Sequence, residues 1–195
     1  MHIVHLQNIE KNGRIVICNG GKEIFFLCLL HYNDTCKVNQ QFTGGERKVV
    51  KLNIQTAELA LREASESNPG AWAEHSRYVA EACKNIASHC KDLSSEQAYI
   101  FGLLHDIGRY AGVSSERHLI DGYRYCMERG WEKAAQICIS HAFMIQDIAT
   151  SIGVFDVSDE DYLFMKEFVA NAVYDDYDRL VPVSYTHLTL PTNSR

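Results

Sequence analysis

The sequence predicts an all-α protein: a helical bundle with a short irregular or β-hairpin-like N-terminal extension. Three observations carry that reading. Between residues 52 and 177, apolar side chains recur at helical spacing with few breakers. Only 3 prolines occur in 195 residues, and 46% of the chain is hydrophobic, which suffices for a real core. The first 49 residues read differently, with β-type runs at 14–18 and 22–30 around Asn19-Gly20-Gly21.

Each helix has a local reason. Residues 54–67 place Ala57, Leu61 and Ala64 on one stripe, and Asn68-Pro69-Gly70 ends it. Residues 72–90 carry His75, Val79, Ala82 and Ile86 on one face. Ser94-x-x-Gln97 has the form of a capping box and opens a third helix through Leu104. Gly108 permits the tight exit that follows. Further helices are expected at 116–129, 131–140 and 158–173, the last opened by Ser158-Asp159-Glu160-Asp161, acids suited to a helix N-terminus. After Leu180 the chain reads VPVSYTHLTLPTNSR, with two of its three prolines and no charge until Arg195.

Charge and cysteine usage exclude several classes. Residues 50–182 hold 12 basic against 21 acidic side chains, whereas the rest of the chain is net positive. An acidic helical body argues against a duplex-nucleic-acid surface, which needs clustered Lys and Arg. The 7 cysteines form no CxxC pair and are odd in number, so a disulfide framework is not expected and a reducing, cytoplasmic setting fits. Cys83, Cys126 and Cys138 fall in apolar helical patterns and read as buried thiols. No apolar run is long enough to cross a membrane, and Met1 begins no signal-peptide pattern.

Both ends invite a separate expectation. Gly44-Gly45-Glu46-Arg47 is a peptide whose codons can spell a purine-rich ribosome-binding sequence, shortly before Val50, a GTG start. Residues 1–49 are thus expected to be either a hairpin-bearing extension or a translated leader. Residues 50–182 are expected to form the helical domain, truncated at its C-terminus. The tail SYTHLTLPTN resembles translated adapter read-through, so residues 183–195 are expected to be non-native.

The chemistry concentrates in Leu103-Leu104-His105-Asp106-Ile107-Gly108-Arg109. Burying an unpaired carboxylate at the end of an apolar helix costs several kcal/mol, so Asp106 requires a cation or a strong donor set. His75 heads an apolar stripe and points inward. If His75, His105 and Asp106 converge, their mixed nitrogen and oxygen donors suit a divalent transition metal. His118 and His141, at helix boundaries, could supply a second metal or the substrate pocket. His89 reads as a surface residue. No GxxxxGK[ST] phosphate loop and no GxSxG elbow is present.

The pattern of His75, then His105-Asp106, then later histidines on helices resembles the HD-domain metal-dependent phosphohydrolases. Within them it resembles the HDIG group, whose signature takes the form LLHDIGR in this chain. The flanking segments NPGAWAEHSRYVAEA, RHLIDGYRYC and QICISHAF also resemble that group, over residues 52–180. The resemblance implies an HD-domain helical bundle that binds one or two divalent transition-metal ions, with Fe, Mn, Zn, Co and Ni not distinguished. It implies His75, His105 and Asp106 as core ligands and His118 and His141 as the additional ones. It also implies a final Asp a few residues past Arg179, where this chain turns into VPVSYTHL; Asp175, Asp176 and Asp178 match the segment before that ligand.

The implied activity is hydrolysis of a phosphate ester or nucleotide by metal-activated water, on a small phosphorylated substrate and without membrane or duplex partners. Asp106 would bridge ions or steer the water, and Arg109 would pair with a substrate phosphate through its planar fork. Arg117 and Arg124 are weaker candidates of that type, and Trp72 and Tyr123 are candidates for stacking on a base. Two alternatives keep the fold: an HD-type di-iron oxygenase, or an inactive HD module that binds a ligand or partner in signalling. The aromatic stretch 162–177 suggests either a homodimer contact or core packing.

Overall fold

The structure, a computed structural model, describes residues 50–188, with side chains through residue 184, and the backbone of three strands between residues 9 and 25. The chain divides into two compact units, Met1–Gly45 and Glu46–Arg195.

The first unit contains β1 (Ile9–Lys11), β2 (Arg14–Asn19) and β3 (Lys22–Phe25), paired antiparallel in the order β1-β2-β3. Val16 lies opposite Ile9 on one side and Phe25 on the other, and Asn19 pairs with Lys22. The expected hairpin is thus a three-stranded meander, and its third strand ends at Phe25. The remainder of the expected run, residues 26–30, lies outside the described residues, as do residues 44–47 and 189–195.

Among the described residues, the second unit is built of α-helices and two 3₁₀ turns. In order these are α1 (Ile54–Ser67), α2 (Ala71–Ala87), α3 (Ser95–Leu104), a 3₁₀ turn (Ile107–Ala111), α4 (Arg117–Glu128), α5 (Glu132–Ser140), a 3₁₀ turn (Ile148–Thr150), α6 (Asp159–Asn171) and α7 (Asp176–Leu188). The all-α expectation holds, and six helices lie within three residues of their expected bounds. Asn53 caps α1 by accepting from Thr56 N, and Ser158 caps α6 by accepting from Asp161 N.

Two details depart from the sequence reading. On α2 the buried face is Ser76, Val79, Ala80, Cys83 and Ala87, so Ile86 is exposed and His75 sits half-buried at the stripe's edge. Pairing with α3 selects the face with small residues, because Gly102 presses against Ala80. The Ser94 capping box closes only on one side. Ser94 Oγ accepts from Gln97 N, but the Ser94 N–H donates to the Tyr177 hydroxyl at 2.8 Å, and that hydroxyl donates to Gln97 Oε1 at 2.9 Å. A side chain of α7 therefore completes the cap of α3.

α7 itself runs through Pro182 to Leu188. A proline there removes the N–H that would bond the Asp178 carbonyl, a cost that packing must offset. Leu180, Val181 and Ser184 are buried and provide that packing. Its first turn is tied down by Asp178, whose carboxylate is fully buried. It accepts from Lys133 Nζ at 2.5 Å, Ser140 Oγ at 2.6 Å, Gln136 Nε2 at 2.9 Å and the Asp175 N–H at 2.8 Å.

The main core gathers α1, α2, α3, α4, α5 and α7 around Leu61, Val79, Leu103, Leu104, Ile107 and Ile137. A second cluster under α6 joins Leu119, Ile139, Phe143, Met165 and Val169. Tyr162 and Phe168 pack on that second cluster, and Tyr177 packs on the Phe101 ring at 5.1 Å.

Three glycines decide how closely the helices approach. A Cβ on Gly102 would lie 2.7 Å from Ala80 Cα, and one on Gly122 would lie 3.0 Å from Cys138 Sγ. The tightest is Gly108, where a Cβ would fall 1.9 Å from the His118 carbonyl oxygen and 2.3 Å from Gly122 N.

Gly108→Ala is expected to lower unfolding free energy by about 3 kcal/mol or more, because backbone rather than a mobile side chain blocks the methyl. Urea denaturation measures it, and a loss below about 1 kcal/mol would show that the crossing relaxes. Lys133→Met removes the cation paired with the buried Asp178 carboxylate and is expected to cost about 3 kcal/mol. Adding Asp178→Asn to that variant should recover part of the loss, a coupling that a double-mutant cycle reads directly.

Candidate metal centre

The glycine crossings position the chemistry. Contact of Gly102 with α2 brings the end of α3, and with it His105, up to His75: their ring centroids lie 5.4 Å apart at 67°. Contact of Gly108 with α4 brings Asp106 to His118. His141 is the C-cap residue of α5, and its ring lies 4.9 Å from that of His105 and 5.9 Å from that of His118. His75, His105, Asp106, His118 and His141, which lie up to 66 positions apart in the chain, thus share one cluster.

Asp106 is its centre, only 5% exposed. Oδ1 faces His118 Nε2 at 3.2 Å and His141 Nε2 at 3.6 Å, while Oδ2 faces His105 Nε2 at 3.8 Å. Two groups of converging ligand atoms result, each with all atoms within 4.8 Å of one another. One is His75, His105 and Asp106; the other is Asp106, His118 and His141. The carboxylate is common to both.

The helices also settle which nitrogen each imidazole presents. His105 Nδ1 lies 2.7 Å from the Gly102 carbonyl, His118 Nδ1 2.5 Å from the Ser115 carbonyl and His141 Nδ1 3.0 Å from the Ile137 carbonyl. A carbonyl only accepts, so each Nδ1 carries a proton and Nε2 is the ring atom turned inward. Three such nitrogens and a carboxylate then converge, a set that a cation among them would satisfy. Imidazole nitrogen with carboxylate oxygen is the donor set that suits divalent Fe, Mn, Zn, Co or Ni. The residues therefore fit a metal, and the Nδ1 bonds to carbonyls are the outer contacts that orient metal-binding histidines.

Burial drives the electrostatics. It pushes the His141 imidazole down to about 3, with His105 adding to the shift and Asp106 opposing it. Burial also lowers His105 and His75, with Asp106 again opposing. Burial alone would raise the Asp106 carboxyl, but in the acid range charge on the imidazoles of His105, His141 and His118, with a hydrogen bond from His118, outweighs it and holds the acid well below the usual carboxylate range. Burial thus favours neutral imidazoles at His75, His105 and His141 beside one anion.

The other candidates sort themselves by contact. Arg109 donates from Nε to Asp106 Oδ2 at 2.8 Å, and its Nη2 lies 3.4 Å from His118 Nε2, so it belongs to the centre. Arg117 pairs with Asp121 and Arg124 with Asp161, both on the surface of α4. Tyr123 packs against Phe164 and Phe168 and is not placed to stack on a base; Trp72 donates to the Asn68 carbonyl beside the main core. Asp178 is satisfied within its own network, Asp175 caps the start of α7, and Asp176 is exposed beside Arg179. None of the three joins the histidine cluster. α7 passes from Tyr177 at the start of α3 to Ser184 at Cys83, toward the end of α2 that carries His75, and residues 179–188 contain no carboxylate.

Two positioning residues have no signature in the sequence. Asn68 Nδ2 donates to the Arg109 carbonyl at 2.6 Å and pins the 3₁₀ turn that carries the arginine. Asp156 accepts from Ser115 N at 2.9 Å and Arg117 N at 2.8 Å, fixing the turn whose carbonyl orients His118. Each reaches about 40 residues along the chain, and a local motif cannot register that distance.

In chelator-treated protein the depressed imidazoles make acid destabilising. The unfolded chain takes up a proton near pH 6.5, and folded His141 does so only near 3, so its contribution is complete above about pH 7.5 and declines as pH falls. His141 alone is expected to cost about 2 kcal/mol at pH 5 relative to pH 7.5. Urea midpoints across that range should show a shallower decline in His141→Gln; parallel declines would contradict a neutral, buried His141.

Residues 47–133 match the family model of the HDOD domain, a family of HD-like domains. The matched span contains His75, His105, Asp106, Arg109 and His118, and it ends before His141. No curated protein and no solved structure matches the chain significantly. On this finding, residues 47–133 are similar to an HD-like domain whose histidine–aspartate pair sits in the cluster described above.

Proposed function

We propose that the chain is a metal-dependent phosphohydrolase acting on a phosphate ester or nucleotide. One observation carries this reading. The buried Asp106 carboxylate turns each oxygen to a different set of imidazole Nε2 atoms, the arrangement required to hold one or two divalent ions side by side. His75, His105 and Asp106 would hold one ion, and Asp106, His118 and His141 the other. A divalent ion bound there supplies Lewis acidity toward a phosphoryl oxygen and lowers the pKa of a water.

The chain's own residues do the remaining work. Asp106 fixes the spacing of the two ligand groups and keeps its charge, so it would steer an attacking water by accepting a hydrogen bond from it. His105, His118 and His141 hold their tautomers through carbonyl bonds and do not reorient when a substrate arrives. Arg109, whose side chain is 30% exposed, carries the guanidinium fork within reach of an anion at the mouth of the cluster.

A second reading has an observation of its own. No carboxylate of α7 reaches the cluster, and the HDOD match supports an HD-like domain without assigning a reaction. A module that binds a nucleotide or protein partner without turnover fits those facts. Elemental analysis of the purified protein decides first: one or two ions per chain are expected, and His105→Ala should lose them. With Mn(II) or Fe(II) supplied, phosphate release from p-nitrophenyl phosphate or nucleotides should fall about 100-fold or more in His105→Ala. Metal binding without phosphate release would select the binding module, and oxygen consumption by the iron form would select the oxygenase.

A further inference from the structure

We propose that Arg109 is a built-in cation that competes with metal for Asp106, so that loading the centre requires its guanidinium to leave. This rests on the metal-dependent reading above and concerns the residue that would govern loading.

The guanidinium touches both ligand groups at once. Its Nε donates to Asp106 Oδ2 at 2.8 Å, on the side facing His105, and its Nη2 stands 3.4 Å from His118 Nε2 in the other group. A carboxylate oxygen binds a transition metal at about 2.0–2.2 Å. An ion there and a guanidinium at its present distance would place two cations within a few ångströms, a repulsion that a buried site screens poorly. Arginine cannot relieve it by losing a proton, since its guanidinium stays charged at all relevant pH. One cation must give way.

The local structure makes the side chain the part that moves. The Arg109 main chain is pinned on three sides: its N–H donates to the Asp106 carbonyl at 3.0 Å, and its carbonyl accepts from Asn68 Nδ2 at 2.6 Å and Gly112 N at 3.2 Å. The side chain is 30% exposed against 7% for Asp106, so the fork enters from the solvent side and can withdraw there. Once displaced, it remains beside the centre as a free cation for an anionic group. Metal would therefore bind before the substrate phosphate.

The test titrates Mn(II) into chelator-stripped wild-type protein, Arg109→Met and Arg109→Lys. Free ion is read by electron paramagnetic resonance and unfolding by circular dichroism. Removal of the competitor is expected to tighten Mn(II) binding about tenfold or more in Arg109→Met, with Arg109→Lys between it and wild type. The metal-free Arg109→Met protein should melt at a lower temperature than wild type and gain more from Mn(II), because its buried carboxylate has lost its partner. Mn(II) binding by Arg109→Met alone would support the proposal most strongly. Equal or weaker binding by a folded Arg109→Met, beside a wild type that binds, overturns it and leaves the metal reading intact. Should Arg109→Met not fold, Arg109→Lys decides, and binding no tighter than wild type counts against competition. Absence of binding in all three proteins overturns the metal reading and the competition together.

Discussion

An ionised carboxylate that is 95% removed from water must be met by positive charge or by many donors, or the group gives up its charge. Asp106 lies at the meeting point of α3, α4 and α5, where three imidazoles and one guanidinium surround it. His105, His118 and His141 each direct their Nδ1–H outward to a carbonyl of their own segment, leaving Nε2 toward the acid. The arginine fork is the chain's own answer, and it comes from the solvent side. The site is thus polarised by construction, with fixed ring nitrogens on the protein side and an exchangeable cation on the open side.

Close backbone approach makes this possible. Imidazoles reach one another only when the elements that carry them lie nearer than ordinary side chains allow. Gly102 against Ala80, Gly108 against the His118 carbonyl and Gly122 against Cys138 remove the side chains that would hold them apart. These contacts are therefore part of the site, although none touches a ligand atom. Buried free thiols fit the same logic: Cys138 lies at Gly122 and donates to the Leu104 carbonyl at 3.4 Å, just before His105.

Much of the fold was legible because it is written in local signals. Asn68-Pro69-Gly70, Ser158 before its acids and the spacing of Ala57, Leu61 and Ala64 each act within one or two turns. What failed was what depends on a partner. The buried face of α2 is chosen by Gly102 on α3, so a stripe drawn through Ile86 points to solvent. Gln97 leaves its capping role because Tyr177, 83 residues from Ser94, takes it. Pro182 marks a helix end by local rules, yet α7 continues because Leu180, Val181 and Ser184 are buried. In the site, the HD pair and the spacing of the histidines were visible, whereas Asn68 and Asp156 act across distances that no motif spans.

The two buried acids of the domain show why burial alone is a poor guide to function. Asp178 is as sequestered as Asp106, 1% exposed against 5%, although it stands in an acidic cluster with Asp175 and Asp176. Its oxygens, however, are met by a lysine, a glutamine amide, a serine hydroxyl and a backbone N–H, all donors. Nothing further is required there, and the network serves to lock α5 to α7. Asp106 is met by imidazole Nε2 atoms and one guanidinium that enters from the solvent side. The difference lies in the direction of the neighbours' protons: Ser140 turns its proton toward an acid, while His141, the next residue, turns its own away. That single reversal along the end of α5 separates a structural carboxylate from one at the centre of a candidate metal site.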